Sequence, residues 1–225
     1  MSVMSSSTPL GKISKSLFAD RKELMNFASK FVSERIESLE NDVKRCTALQ
    51  EEFLRHSRTA PFPALLYCFS TIDLLGALYA GNARPGATTD NACKYMVDFM
   101  SYTRDQVDMI QGVFRHKIVH LAQPRPITLK KSKRIAWYIE TQYHPRIHLK
   151  LEELPPEEKS KKYGITSKLV LQWDQVFYIS VQSFQRDIKE SVEKSDGYLA
   201  RLANSPTLQE SFSKAILEIH SPNDR

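Results

Sequence analysis

The stretch ALLYCFSTIDLLGALYA (64–80) decides the fold, because its residues are apolar nearly all the way round a helix. A helix of this kind must be enclosed by neighbouring elements. One acidic residue, Asp73, lies near its centre, and Pro61 and Pro63 precede it at positions that suit a first helical turn. These features favour a buried helix of a soluble protein over a membrane span.

Amphipathic helices are predicted on both sides of this central segment. Before it, apolar residues recur at intervals of three or four positions, with one interval of five, from Leu24 to Phe53, after a capping pattern at Asp20–Glu23. After it, the sequence predicts a turn at 81–86 and a third helix that ends near Tyr102. A capping box at Thr103–Gln106 then begins a fourth helix, which ends before Pro124 and Pro126.

Residues 134–173 have a different character. Apolar and polar residues alternate over 134–140 and 146–152, and β-branched and aromatic residues are frequent there. A third strand is predicted at 168–173. We therefore expect a small antiparallel sheet inserted between helices.

The helical pattern then resumes. Asp174 is predicted to cap a helix over 175–194, and Pro206 to begin a last helix that ends near His220. The expected fold class is mainly α, a helical bundle with a small antiparallel β insert. The insert is too small to be a domain, so we expect one domain over 19–225 after a flexible tail at 1–18.

Composition narrows the function classes. Only 7 of the 225 residues are glycine, which disfavours a turn-rich β-sandwich, and no glycine-rich phosphate loop is present. The net charge of +6 weakly favours a polyanionic partner. The three cysteines, Cys46, Cys68 and Cys93, have no metal or redox spacing, so we expect reduced, non-catalytic thiols. The N-terminal sequence has no apolar signal-peptide segment, and we expect a cytoplasmic location.

The residues with the clearest chemical potential lie at the end of the fourth helix, in RHKIVH (115–120). Histidine exchanges protons near neutral pH, and arginine stays charged and can hold two phosphate oxygens. Arg115 and His120 are five positions apart, so on a regular helix they lie about 140° apart. They converge only if the helix end loosens, or if a second copy of the segment completes the site.

This Arg115–His120 segment resembles the R-x4–6-H motif of the HEPN superfamily, and the polar residue His116 after the arginine also fits that pattern. The resemblance covers about residues 20–125 and the helix at 175–194, but not the β insert. It implies an α-helical homodimer that pairs two motifs across a two-fold axis. Many members of the superfamily are metal-independent endoribonucleases in toxin or defence systems, so an antitoxin or regulatory protein is a further possible partner.

In this interpretation His120 is the general base or acid, Arg115 stabilises the charge that develops on the phosphate, and His116 orients groups or contacts substrate. No cofactor or metal is expected. Two alternatives stay open. One is a catalytically inactive HEPN-like dimer that acts as a nucleotide-binding or protein-interaction module. The other is a metal site, because His116 and His120 share one helix face and Asp73 is a candidate third ligand.

Asp73 and a set of basic residues are the remaining candidates. Asp73 needs a partner in its apolar helix: either it pairs with Arg115 or orients His120, or it only bonds a nearby hydroxyl. Aromatic residues, including Tyr143, follow basic residues after the motif, which suits single-stranded RNA but also an ordinary solvated loop. The basic residues are Arg125, Lys130, Lys131, Lys133 and Arg134.

Overall fold

The computed structural model describes residues 17–48, 60–115, 118, 127–128, 133–153 and 173–221, and the fold is mostly helical with a small mixed sheet. The helices are α1 (Arg21–Ala48), α2 (Pro61–Ala80), α3 (Thr88–Met100), α4 (Arg104–Met109), α5 (Val181–Glu193), α6 (Tyr198–Asn204) and α7 (Pro206–His220). A 3-10 turn at Pro85–Ala87 precedes α3, and a π-helical segment at Ile110–Arg115 continues α4. The strands are β1 (Ile127–Thr128), β2 (Arg134–Glu140), β3 (Leu151–Glu153) and β4 (Gln175–Ser180).

Helix α2 is the centre of the helical core, as its apolar sequence predicts. Helices α1, α3, α5 and α7 all pack against it. At Gly76 the backbone of α3 comes so close that an added Cβ would lie 2.7 Å from the Ala92 nitrogen. Within the described ranges α2 is also the one helix long and apolar enough to cross a membrane, and half of that stretch is buried inside the protein.

Three predicted helix starts are confirmed. The Asp20 carboxylate accepts a hydrogen bond from the Glu23 backbone at 2.8 Å, so it caps α1. Thr103 and Gln106 form the predicted capping box at the start of α4, and Pro206 begins α7. Phe18, which was expected in the flexible tail, is buried and packs its ring near those of Phe27 and Phe212.

The sheet is mixed, so the prediction of an antiparallel sheet is wrong. The strand order is β1-β2-β4-β3, and β2 and β4 at its centre run parallel, with Trp137 opposite Phe177. Only the short edge strands pair antiparallel, β1 with β2 and β3 with β4.

The prediction of a helix over 175–194 is wrong for the first six residues. Residues 175–180 form β4, and α5 begins at Val181 with Ser180 as its cap, not Asp174. Five consecutive residues of β4 are buried, because both faces of this central strand are covered. The four apolar residues at 176–179 show no hydrophobic period that would distinguish a buried strand from a buried helix. The short helix α6 was not predicted.

The strand predicted over 146–152 is also mostly wrong. Residues 145–149 form a turn in which the His148 backbone donates to the His144 carbonyl, and Leu149 has a φ of 60°. Pairing with β4 begins where the Leu149 nitrogen donates to Tyr178, and the regular strand covers only Leu151–Glu153. Most of the strand predicted at 168–173 lies outside the described residues.

Candidate functional site

Arg115 is the last residue of the π-helical segment, and the fold buries it. Val113 and Phe114 before it are fully buried, and the Arg115 side chain is only 10% exposed. The π-helical turn is wider than an α-helical turn, and such turns are frequent at functional sites. The helix therefore does loosen near the motif, although on the N-terminal side of Arg115.

Four hydrogen bonds hold the Arg115 guanidinium. Its Nε and Nη2 donate to the two carboxylate oxygens of Asp73 at 3.1 and 2.7 Å. Its Nη1 donates to Thr89 Oγ1 at 2.9 Å and to Gln111 Oε1 at 3.4 Å. The pairing of Asp73 with Arg115, one of the two interpretations of this acidic residue, is thus confirmed. Gln111 lies one helical turn before Arg115, so sequence spacing could have indicated it.

Burial dominates the electrostatics of this ion pair. The Asp73 side chain is 26% exposed. Its removal from water raises the pKa of Asp73 above the usual range, while the hydrogen bonds and charge of Arg115 act in the opposite direction and offset only part of the rise. The pair is therefore a desolvated one, of the kind whose burial cost can exceed the Coulombic gain.

The contacts of Arg115 correct one expectation about its chemistry. The sequence interpretation has the Arg115 guanidinium hold two phosphate oxygens, but its Nε and Nη2 edge already binds the Asp73 carboxylate. Of the five N–H donors of a guanidinium, one on Nη2 has no partner within the described residues. The amide Nε2 of Gln111 beside it is buried and likewise has no hydrogen-bond partner in this part of the chain.

Several predicted site residues lie outside the described residues: His116, His120, Arg125, Lys130 and Lys131. Two predicted RNA-binding residues are described, and neither is a partner of Arg115. Lys133 is half exposed and pairs with Glu153 at 2.7 Å. The backbone nitrogen of Arg134 donates to Asp174 at 2.7 Å, which ties the start of β2 to the start of β4.

The metal alternative has no support in the described part of the chain. No group of three or more His, Cys, Asp or Glu side chains is arranged there to hold a metal ion. Asp73, its candidate third ligand, has both carboxylate oxygens on Arg115. Both candidate histidine ligands lie outside the described ranges.

A second polar cluster was missed by sequence reasoning. His148 lies in the segment 146–152 that was predicted to be a strand, and its side chain is only 6% exposed. Its Nδ1 accepts from the Ser180 backbone at 3.1 Å, so its Nε2 carries the proton and lies 3.1 Å from Tyr102 Oη. Tyr102 donates to Asp187 at 2.6 Å. The cluster ties the 145–149 turn to α5 and to the loop before α4.

The cysteines have the environment of buried structural thiols. All three are free, Cys68 and Cys93 are buried, and Cys46 is partly buried. Burial raises the pKa of each thiol, most strongly at Cys68. This direction is opposite to the lowered pKa that is typical of a nucleophilic cysteine.

Comparison with protein-family models, with curated proteins and with solved structures finds no match to this chain.

Proposed function

We propose that this protein is a metal-independent endoribonuclease of the HEPN type, with its site around Arg115 at the end of the π-helical segment. The observation that carries the proposal is the desolvated Asp73–Arg115 pair. A core of this size could fill the same space with apolar side chains, often without loss of stability. A charged pair retained at such a position, next to two histidines in the sequence, is a candidate functional site.

The proposed role of Asp73 and Thr89 is to orient Arg115. They hold three of its donors, so the guanidinium presents its remaining Nη2 hydrogen and its positive charge to a phosphate. This role replaces the bidentate phosphate grip, because Asp73 occupies that edge. It also predicts poor rescue by Arg115→Lys, since one ammonium group cannot bond Asp73 on two oxygens and Thr89 in the same geometry.

The proposed reaction is an internal transfer. His120 takes the proton of a ribose 2′-hydroxyl, and the 2′-oxygen attacks the adjacent phosphorus. The bond to the 5′-oxygen breaks, and that oxygen receives a proton from an acid. The products are a 2′,3′-cyclic phosphate and a 5′-hydroxyl. Arg115 stabilises the negative charge that develops on the phosphate, and His116 orients groups or contacts substrate.

A homodimer would supply both the base and the acid, because two copies of the motif would meet at one site. Exposed apolar surface on α2 supports such an assembly. Leu66 and Tyr67 are each more than 40% exposed, and Leu66 lies two turns before Asp73 on the same helical face. The dimer would have a mass of about 52 kDa, twice the 25.9 kDa of one chain, measured by light scattering at micromolar concentration. A clean monomer would contradict the shared site.

The decisive experiment is RNA cleavage in EDTA by the purified protein. Arg115→Ala and His120→Ala should each abolish cleavage, and a 2′-deoxy residue at the cut site should block it. The matched controls are Arg104→Ala, an exposed arginine on α4, and His220→Ala, an exposed histidine at the end of α7; both should cleave normally.

Other results would select the alternatives. Cleavage that needs a divalent metal or leaves 3′-hydroxyl ends would exclude the proposed mechanism and favour a metal site at His116 and His120. A folded protein that cleaves no RNA would favour the inactive interaction module.

A further inference from the structure

A separate cleft of about 510 Å³ lies between the C-terminal half of α1 and the N-terminal half of α5. Its volume lies within the range of small-ligand sites, about 300–1,000 Å³. None of its lining residues is a partner of Arg115. The cleft therefore needs an explanation that the proposed cleavage site does not provide.

The segment between β2 and the 145–149 turn contributes an aromatic ring, that of Tyr143, to one side of the cleft, and neighbouring residues hold this ring in place. The backbone nitrogen of Tyr143 donates to Gln182 at 3.1 Å, and its hydroxyl accepts from Arg186 at 3.1 Å. The Arg186 guanidinium also lies 5.1 Å from the centre of the ring. Tyr143 nevertheless remains 46% exposed. An aromatic ring that is oriented in advance and still exposed can stack against a planar ligand.

Cationic groups line the same cleft. Lys44, Arg186 and Lys189 contribute three positive charges, against the single carboxylate of Glu40 among the lining residues. Lys189 binds Glu40 at 2.9 Å, and Arg186 binds Glu190 at 2.7 Å. These pairs are solvent-exposed and therefore weak, so a phosphate can replace the carboxylates.

Lys44 is the cation best placed to receive an anion. It is exposed, and it has no ion-pair partner within the described residues. Lys44 can therefore bind a phosphate without breaking an existing ion pair. A planar ring and an anion can be bound side by side in this cleft, and a nucleotide combines these two groups.

We propose that this cleft binds one nucleotide unit, with the base against Tyr143 and the phosphate at Lys44 and Lys189. The unit can be a free nucleoside monophosphate or one nucleotide of single-stranded RNA, since both present the same base and phosphate. The inference goes beyond the proposed ribonuclease activity, because binding here requires neither Arg115 nor His120.

The test is binding to the full-length protein, measured by titration calorimetry. The probes are adenosine monophosphate, inorganic phosphate and a ten-nucleotide single-stranded DNA, which a 2′-hydroxyl-dependent nuclease cannot cut. Tyr143→Leu and Lys44→Gln should each weaken nucleotide binding about tenfold, the size expected for losing one stacked base or one phosphate contact. Phosphate alone should bind at least about tenfold more weakly than the nucleotide.

Matched controls separate the site from general surface charge and from misfolding. Lys30→Gln changes an exposed lysine on α1 outside the cleft and should leave affinity within about twofold. Tyr143→Phe keeps the ring and should bind more tightly than Tyr143→Leu. Unchanged circular dichroism of each variant confirms folding.

The two sources give different results. Monophosphate binding that Tyr143→Leu weakens indicates a free-nucleotide site, while cleft-dependent binding of the oligonucleotide alone indicates a strand site. Absence of binding by both adenosine monophosphate and the oligonucleotide at millimolar concentration, or equal binding by all variants, overturns the proposal. Arg115→Ala should retain wild-type monophosphate affinity, so a failure of the ribonuclease proposal does not affect this result.

Discussion

The Asp73–Arg115 pair allows a quantitative test of whether the core retains a charged group at the expense of stability. In Arg115→Met the arginine stem is replaced by an apolar side chain of similar length, and the Asp73 carboxylate loses both of its hydrogen bonds. Its pKa, already raised by burial, then rises further, because the charge and hydrogen bonds that lowered it are absent.

The destabilisation of Arg115→Met has an upper limit, since Asp73 can take up a proton. Protonating a carboxyl of ordinary pKa near 3.9 at pH 7 costs about 4 kcal/mol. Asp73 is 26% exposed, and water reduces this cost, so we expect a loss of about 2–3 kcal/mol at pH 7. Asp73→Asn should lower the unfolding free energy by at least as much, because the Arg115 guanidinium is then left without its carboxylate and cannot lose its proton.

The pH dependence of Arg115→Met has a definite sign. The native state of the variant binds the Asp73 proton more tightly than the unfolded state does. The stabilising contribution of this proton is complete below the unfolded pKa, near 3.9, and is lost as pH rises through the folded pKa. The difference in unfolding free energy from the wild type should therefore shrink between pH 7 and pH 4.5.

The double variant Asp73→Leu/Arg115→Met separates stability from function. This variant removes both charges. Its unfolding free energy should therefore lie within about 1 kcal/mol of that of the wild type, or be higher. It should nevertheless lose RNA cleavage. Urea unfolding followed by circular dichroism at pH 4.5, 5.5 and 7 measures every variant. Single variants within about 0.5 kcal/mol of the wild type, or a double variant that loses the sum of both, would refute the reasoning.

Three further predictions follow from local geometry. Gly76→Ala should lower stability by about 2 kcal/mol or more in thermal unfolding, because its Cβ would lie 2.7 Å from the α3 backbone; an unchanged Tm would contradict that approach. Ser101→Gly should raise stability by about 1 kcal/mol, since Ser101 ends α3 at a φ of 59°, and a loss would be inconsistent with this left-handed cap. In native protein a thiol reagent should label Cys46 well before Cys68 and Cys93, and equal rates would mean that the latter two are not buried.

Sequence patterns predicted the helical part of the fold well where local signals were strong. The helix start at Asp20, the capping box at Thr103–Gln106 and the start at Pro206 depend on side chains that bond their own backbone within a few residues. The central position of α2 in the helical core followed from its apolar composition, although Leu66 and Tyr67 of this helix remain exposed. Such signals are local, so no knowledge of the remaining chain was needed.

The sequence also indicated the two members of the buried pair, but not its geometry. A lone acid in an apolar helix needs a partner, and pairing with Arg115 was part of one of the two interpretations given for Asp73. Asp73 binds the Nε and Nη2 edge of Arg115, and Thr89 binds its Nη1. Both contacts depend on how α2, α3 and the π-helical segment meet. These contacts join residues up to 42 positions apart, which helical periodicity does not encode.

Tertiary structure alone decided the sheet and the polar sites around it. Residues 176–179 are apolar on both faces because β4 is the central strand between β2 and β3, and only that position distinguishes the run from a buried helix. The parallel pairing of β2 with β4, the turn that buries His148 and the cleft beside Tyr143 all follow from that placement. Each depends on contacts between distant segments, so its physical cause lies in packing and not in local sequence propensity.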